Sequence, residues 1–171
     1  ARGRRHRLEH VEAISAQDIA RFGQHGVIAS QQPMHVALGD ANQAVPSGPW
    51  PDAIGPERAS RAWAWKSILQ GGGRVAFGSD WPVAPLEPGQ GIWLASTRVK
   101  AHNAADQRLS IDDALAGYTR WAAYASFDEQ RKGTLEAGKL ADIVVLTSDI
   151  TAAPIPRKSS EVVATTVLDG K

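Results

Sequence analysis

Two residues stand where a side chain can do acid–base or metal chemistry. One is Asp80 in Phe77-Gly78-Ser79-Asp80-Trp81-Pro82-Val83, the other His10 in His6-Arg7-Leu8-Glu9-His10-Val11. The apolar run Val75 to Phe77 reads as a buried strand that stops at Gly78-Ser79 and cannot run on through Pro82. A carboxylate just beyond the carboxyl end of a parallel strand is where α/β barrels keep their chemistry. Asp is also a favoured helix cap, and the spacing alone leaves both readings open. His10 follows a strand-like alternation, and a lone histidine of this kind is more often hydrogen-bonded in a core than bound to a metal.

The elements that must carry these residues follow from periodicity. His6 to Val11 alternates apolar and polar residues as a strand does. Ser15-Ala16-Gln17-Asp18 has the form of a capping box, with Ile19 and Phe22 on the inward face of a helix that Gly26 ends. Val27 to Ser30 is a second strand, closed by Gln31-Gln32-Pro33. The stretch from Met34 to Pro56 is rich in Gly, Pro, Asn and Asp, and so long a connection has the character of a binding loop. Glu57 to Gln70 has helical spacing, which predicts Trp63 and Trp65 as core and outer-face packing on one helix. Gly71-Gly72-Gly73 then leads into the strand at Val75. Strand, helix and strand with short connections make a parallel α/β unit.

Beyond Asp80 the pattern is helical over Gly91 to Ala101, after the cap Ser110-Ile111-Asp112-Asp113, and over Thr119 to Phe127. From Gly133 it becomes β. A turn at Leu135 to Lys139 precedes an expected buried strand over Ala141 to Leu146, and Glu161 to Leu168 is strand-like in its Val and Thr content.

Composition excludes several classes. Nineteen basic against 18 acidic side chains give a net charge of +1 and no reason to invoke nucleic acid. With no cysteine, disulfides and thiolate metal sites are out, so any metal must be held by His and carboxylate. Hydrophobic residues at 43% suffice for a core. No apolar stretch approaches a membrane span and no signal peptide opens the sequence, so no membrane partner and a cytoplasmic location are expected. The sequence starts at Ala1 and its only methionine is Met34, which suggests a start inside a longer polypeptide.

Four stretches occur together in a telling order. They are His6 to His10, Gly26 to His35, Phe77 to Val83, and Gly133-Thr134-Leu135-Glu136-Ala137-Gly138-Lys139-Leu140-Ala141-Asp142-Ile143-Val144-Val145-Leu146. On these residues the chain resembles the C-terminal part of a metal-dependent amidohydrolase of the family-3 type, the group that includes N-substituted formamide deformylase. The resemblance implies an α/β fold in which residues 1–130 are the C-terminal part of a (β/α)8, TIM-like barrel and 131–171 part of a small β-sandwich. Strand six would carry His10, strand seven would end near Gln31 and strand eight at Asp80.

The implied function is hydrolysis of a non-peptide carbon–nitrogen bond, such as an N-formyl amide, by metal-activated water. The cofactor is a divalent metal, with zinc expected. His10 and Asp80 would be metal ligands, and Asp80 also the general base. His35, at the mouth of strand seven, would meet the substrate or a developing oxyanion, unless it is a solvated loop histidine. Trp81 would wall the pocket, or else only pack beside the strand end. Glu9 would point away from the ligands, or hold a neighbouring side chain from behind. His6, His25 and His102 have no motif around them and are expected at the surface.

The family's remaining ligands, a His-x-His on the first strand, a bridging group on the fourth and a histidine on the fifth, have no counterpart in these 171 residues. The expected partners are therefore a small amide-type substrate and the N-terminal part of the same protein. The alternative is a non-catalytic fragment, or a homologue that kept the fold for binding or structure.

Overall fold

The computed structural model describes residues 3–37, 49–98, 104–152 and 154–171. Strands β1 (Arg7–Glu9), β2 (Ile28–Gln31) and β3 (Arg74–Phe77) form one parallel sheet in the order 1-2-3. Glu9 pairs with Ser30, Ser30 with Ala76, and Gln31 with Phe77, so the three strands end at nearly one level. The segments that leave these strands therefore emerge at the same edge of the sheet.

Helix α1 (Ala16–His25) connects β1 to β2 as the sequence predicts. The Ser15 hydroxyl accepts from the Asp18 amide, and Gly26 ends the helix at φ 63°, a conformation that costs glycine little. The loop expected from Met34 to Pro56 contains structure of its own: a 3-10 turn over Pro33–Ala37 and helix α2 over Pro49–Ile54. Its stretch 38–48 lies outside the described residues.

The single helix expected from Glu57 to Gln70 is broken into α3 (Pro56–Ala59) and α4 (Trp65–Gln70). The break falls at Trp63, whose φ is 48°. The peptide groups at the break are bound by residues far along the chain. Arg98, 2% exposed, donates from Nη1 to the Trp63 carbonyl at 2.9 Å and from Nη2 to the Ala62 carbonyl at 3.0 Å. The Trp63 amide also leaves the helix, donating to the Glu12 carbonyl at 2.9 Å, so both backbone groups of this residue serve tertiary partners. Burial pushes this guanidinium down to about 10. Trp63 and Trp65 are both core residues, neither packing on an outer face.

Helix α5 (Pro88–Thr97) begins earlier than the sequence spacing indicates, with proline in its first turn, where the missing amide costs nothing. Helix α6 (Ile111–Tyr118) is capped by Ser110 as expected, and α7 (Arg120–Ala125) comes after it. Phe77, at the end of β3, packs edge-on against Trp65 with ring centroids 5.7 Å apart. It also lies against Gly117, where an added Cβ would fall 2.3 Å from the ring.

Strands β4 (Ile143–Leu146) and β5 (Val163–Val167) pair antiparallel in a separate two-stranded sheet. Contrary to expectation β4 is not buried, since Val144 and Val145 are about half exposed. Ile143, Val144 and Leu146 border a cavity of about 860 Å³ shared with Ile92, Leu115 and Tyr118, so this sheet does not pack down onto the helices. Among the described residues, no helix is long and apolar enough to cross a membrane.

Candidate metal centre

Each of the three aligned strands hands its successor residues to the same edge. Past β1 the chain turns sharply, with His10 at φ 68° and Val11 at φ 48°. Past β3, Asp80 sits at φ 59°, and the peptide between Trp81 and Pro82 is cis. Left-handed backbone at bulky non-glycine residues is uncommon and gathers at functional sites. Past β2, Pro33 opens the 3-10 turn that carries His35 into the interior, 5% exposed.

These turns bring His10, His35 and Asp80 together. One donor atom from each lies within 4.8 Å of the others. Asp80 Oδ2 stands 3.9 Å from His10 Nδ1 and 3.7 Å from His35 Nε2. The two imidazoles stack with centroids 5.8 Å apart. Donors sharing one cation through bonds of about 2.0–2.2 Å can stand no more than about 4.4 Å apart, so the distance from Asp80 to His35 Nε2 suits a common ion, while His10 Nδ1 ligates only by giving up its contact with Gln32 Oε1.

The hydrogen-bonding of His35 sharpens that fit. Its Nδ1 lies 2.8 Å from Glu12 Oε1. A carboxylate accepts and does not donate, so Nδ1 carries the hydrogen and a neutral ring keeps its lone pair on Nε2. That Nε2 is buried and has no hydrogen-bond partner among the described residues. A buried polar atom left so, aimed at a carboxylate beyond hydrogen-bond range, is what a ligand position looks like before its ion is counted. Two imidazoles and a carboxylate are also a donor set that zinc and similar metals favour. The residues present fit a divalent cation.

The sequence-derived ligands His10 and Asp80 thus meet. Asp80 caps no helix: the next one, α5, starts at Pro88. His35 is not a solvated loop residue, because the turn buries it. Trp81 directly follows Asp80 but is 65% exposed, at the outer lip of the site. Glu9 faces solvent and pairs with Arg7 at 2.8 Å, so it does not stand behind the ligands. His6 and His25 are exposed as expected, and His102 lies outside the described residues.

Three residues escaped the sequence reading. Glu12 supports His35, Gln32 places Oε1 3.1 Å from His10 Nδ1, and buried Gln31 donates from Nε2 to the Val11 carbonyl at 3.1 Å. For Glu12 no local signal existed, because the left-handed turn at His10 and Val11 breaks the alternation by which residues two apart share a side.

The chain is similar to known proteins in several ways. A family model described as "Amidohydrolase family" matches residues 1–171. The Arabidopsis thaliana protein LONG AFTER FAR-RED 3 is 38% identical over 153 residues, covering 86% of this chain and 25% of that protein. N-substituted formamide deformylase of Arthrobacter pascens is 36% identical over 87 residues, 49% of this chain and 16% of the enzyme. The crystal structure of an uncharacterized metal-dependent hydrolase from Pyrococcus furiosus superposes with a TM-score of 0.62 at 27% identity, over 78% of this chain and 26% of that one. The chain spans about a quarter or less of the length of each.

Proposed function

The chain belongs to the amidohydrolase family, and from that premise we propose that the protein containing it is a metal-dependent hydrolase of a carbon–nitrogen bond outside peptides, an N-substituted formamide or related small amide. In this reading β1, β2 and β3 are strands six to eight of a (β/α)8 barrel, residues 1–130 supply its C-terminal part, and 131–171 supply part of a β-sandwich. The observation that carries it is the meeting of His10, His35 and Asp80 at the carboxyl ends of three adjacent parallel strands, the end where such barrels act. The likeness to a formamide deformylase supports the substrate class, and the Pyrococcus hydrolase supports the metal.

His10 and Asp80 would hold the cation, zinc by the chemistry of the donors. When bound, such a cation supplies Lewis acidity, polarising a carbonyl and making water acidic near neutral pH. Asp80 is placed to take the proton as the water oxygen adds to the amide carbon. It then returns that proton to the leaving nitrogen as the C–N bond breaks, so acid and amine leave with Asp80 restored. His35 orients the reacting group from the inner side, and Trp81 gives the substrate an apolar surface at the lip.

The test is Asp80→Asn in the full-length, metal-loaded protein against a panel of N-substituted formamides. Loss of a general base that also holds the ion should lower turnover by at least about 10²–10⁴-fold with the melting temperature unchanged. Near-normal turnover in that variant sinks the assignment.

A further inference from the structure

The innermost donor, His35, is held by a group outside the expected ligand pair. Glu12 Oε1 meets His35 Nδ1 at 2.8 Å, and Glu12 itself is held from behind. Its carbonyl accepts from the Trp63 amide at 2.9 Å, while the Trp63 carbonyl accepts from buried Arg98 at 2.9 Å. The left-handed turn at His10 and Val11 is anchored separately, by Gln31 on the Val11 carbonyl. A hydrogen-bonded path therefore runs from the core through Trp63 and Glu12 to one imidazole, whose far nitrogen is buried and has no hydrogen-bond partner among the described residues.

We propose that Glu12 is a positioning residue which makes His35 a third ligand of the cation, fixing the hydrogen on Nδ1 and turning the Nε2 lone pair towards the space between His10 and Asp80. Carboxylates behind ligating histidines do this in metal sites generally, orienting the ring and raising its basicity. The same contact changes the part assigned above to His35, from facing the substrate to holding the ion. The inference rests on the metal-centre reading, and its test separates the two.

The experiment is a competition titration of zinc alone against a chelating dye, on the full-length protein and on Glu12→Ala, Glu12→Gln, His35→Ala and the double variant Glu12→Ala/His35→Ala. Melting curves without metal confirm that each is folded. Glu12→Ala and His35→Ala should each weaken zinc binding by about 10–100-fold. Glu12→Gln keeps an acceptor oxygen for Nδ1–H and should fall between wild type and Glu12→Ala. In the His35→Ala background, Glu12→Ala should cost no further affinity, because a group that acts only through His35 has nothing left to act on. If Glu12→Ala does not fold, Glu12→Gln completes the same cycle with His35→Ala. Tight zinc binding that ignores either residue, or a Glu12 effect that persists without His35, overturns the inference while leaving the metal centre standing. A wild-type protein that binds no zinc sinks the metal-centre reading itself.

Discussion

The two ends of the three-stranded sheet are built on opposite terms. At the end where the strands begin, charge is met by partners. Arg5 binds both oxygens of Glu129, donates to the Tyr124 carbonyl at 2.6 Å, and lies over the Tyr124 ring 3.7 Å from its centroid. Arg74 covers the same ring at 4.6 Å. At the end where the strands stop, three non-glycine residues hold left-handed backbone and a buried imidazole nitrogen has no hydrogen-bond partner among the described residues. The first end pairs its charges and holds one left-handed non-glycine residue, Phe127 under Arg5, while the second gathers more local cost, the division expected between the two faces of a parallel β/α assembly.

Substitutions can be chosen to break that contrast. The largest effect belongs to Asp80→Gly. Glycine relaxes the backbone at φ 59° and deletes the carboxylate, so turnover of the full-length protein should fall by about 10²–10⁴-fold while the melting temperature holds or rises. A matching drop in melting temperature would mean that the carboxyl end also carries stability. Next comes the body between the two ends. Gly117→Ala would place its Cβ 2.3 Å from the Phe77 ring, and such overpacking costs about 1–3 kcal/mol. Urea denaturation should register that loss with zinc affinity unchanged.

A smaller effect tests the frame around the site. Ser15→Ala and Ser110→Ala each remove a side-chain acceptor from a helix start, worth about 0.5–2 kcal/mol and read in the same urea curves. The smallest effect tests the opposite end. The Arg5 guanidinium holds the Glu129 carboxyl down to about 2 from an ordinary 4.5. A depressed acid contributes stability that is fully present above its unfolded value and is lost as pH falls through its folded one. The melting-temperature gap between wild type and Glu129→Gln should therefore be present at neutral pH, close between pH 4.5 and about 2, and shrink in high salt. A gap that widens on acidification would contradict the pairing.

What could be read from the sequence was local. Both serine caps, the Gly26 terminator and the three strands depend on residues within a few positions or on a regular period, whereas the approach of His10 to Asp80, far apart in sequence, was legible only through the family resemblance. What could not be read was non-local. The helix break at Trp63 goes with bonds to Arg98 and to the Glu12 carbonyl, both distant in sequence, in a stretch with good helical spacing. Glu12 gains its role only because the turn past β2 swings His35 inward, 23 residues later. The β4 strand has the apolar run of a buried element, yet burial depends on what packs over it, and its own sequence does not carry that information. The family pattern found the candidate ligands that sit in motifs and passed over the carboxylate behind them.

The proposed site requires that the carboxyl ends of β1, β2 and β3 close on one cation. Anomalous diffraction at the zinc edge from crystals of the full-length protein tests it most directly. A single strong peak within about 2.0–2.2 Å of Asp80 and of ring nitrogens of both His10 and His35 is the predicted result. Zinc bound in the crystal with no density between these three side chains would contradict it.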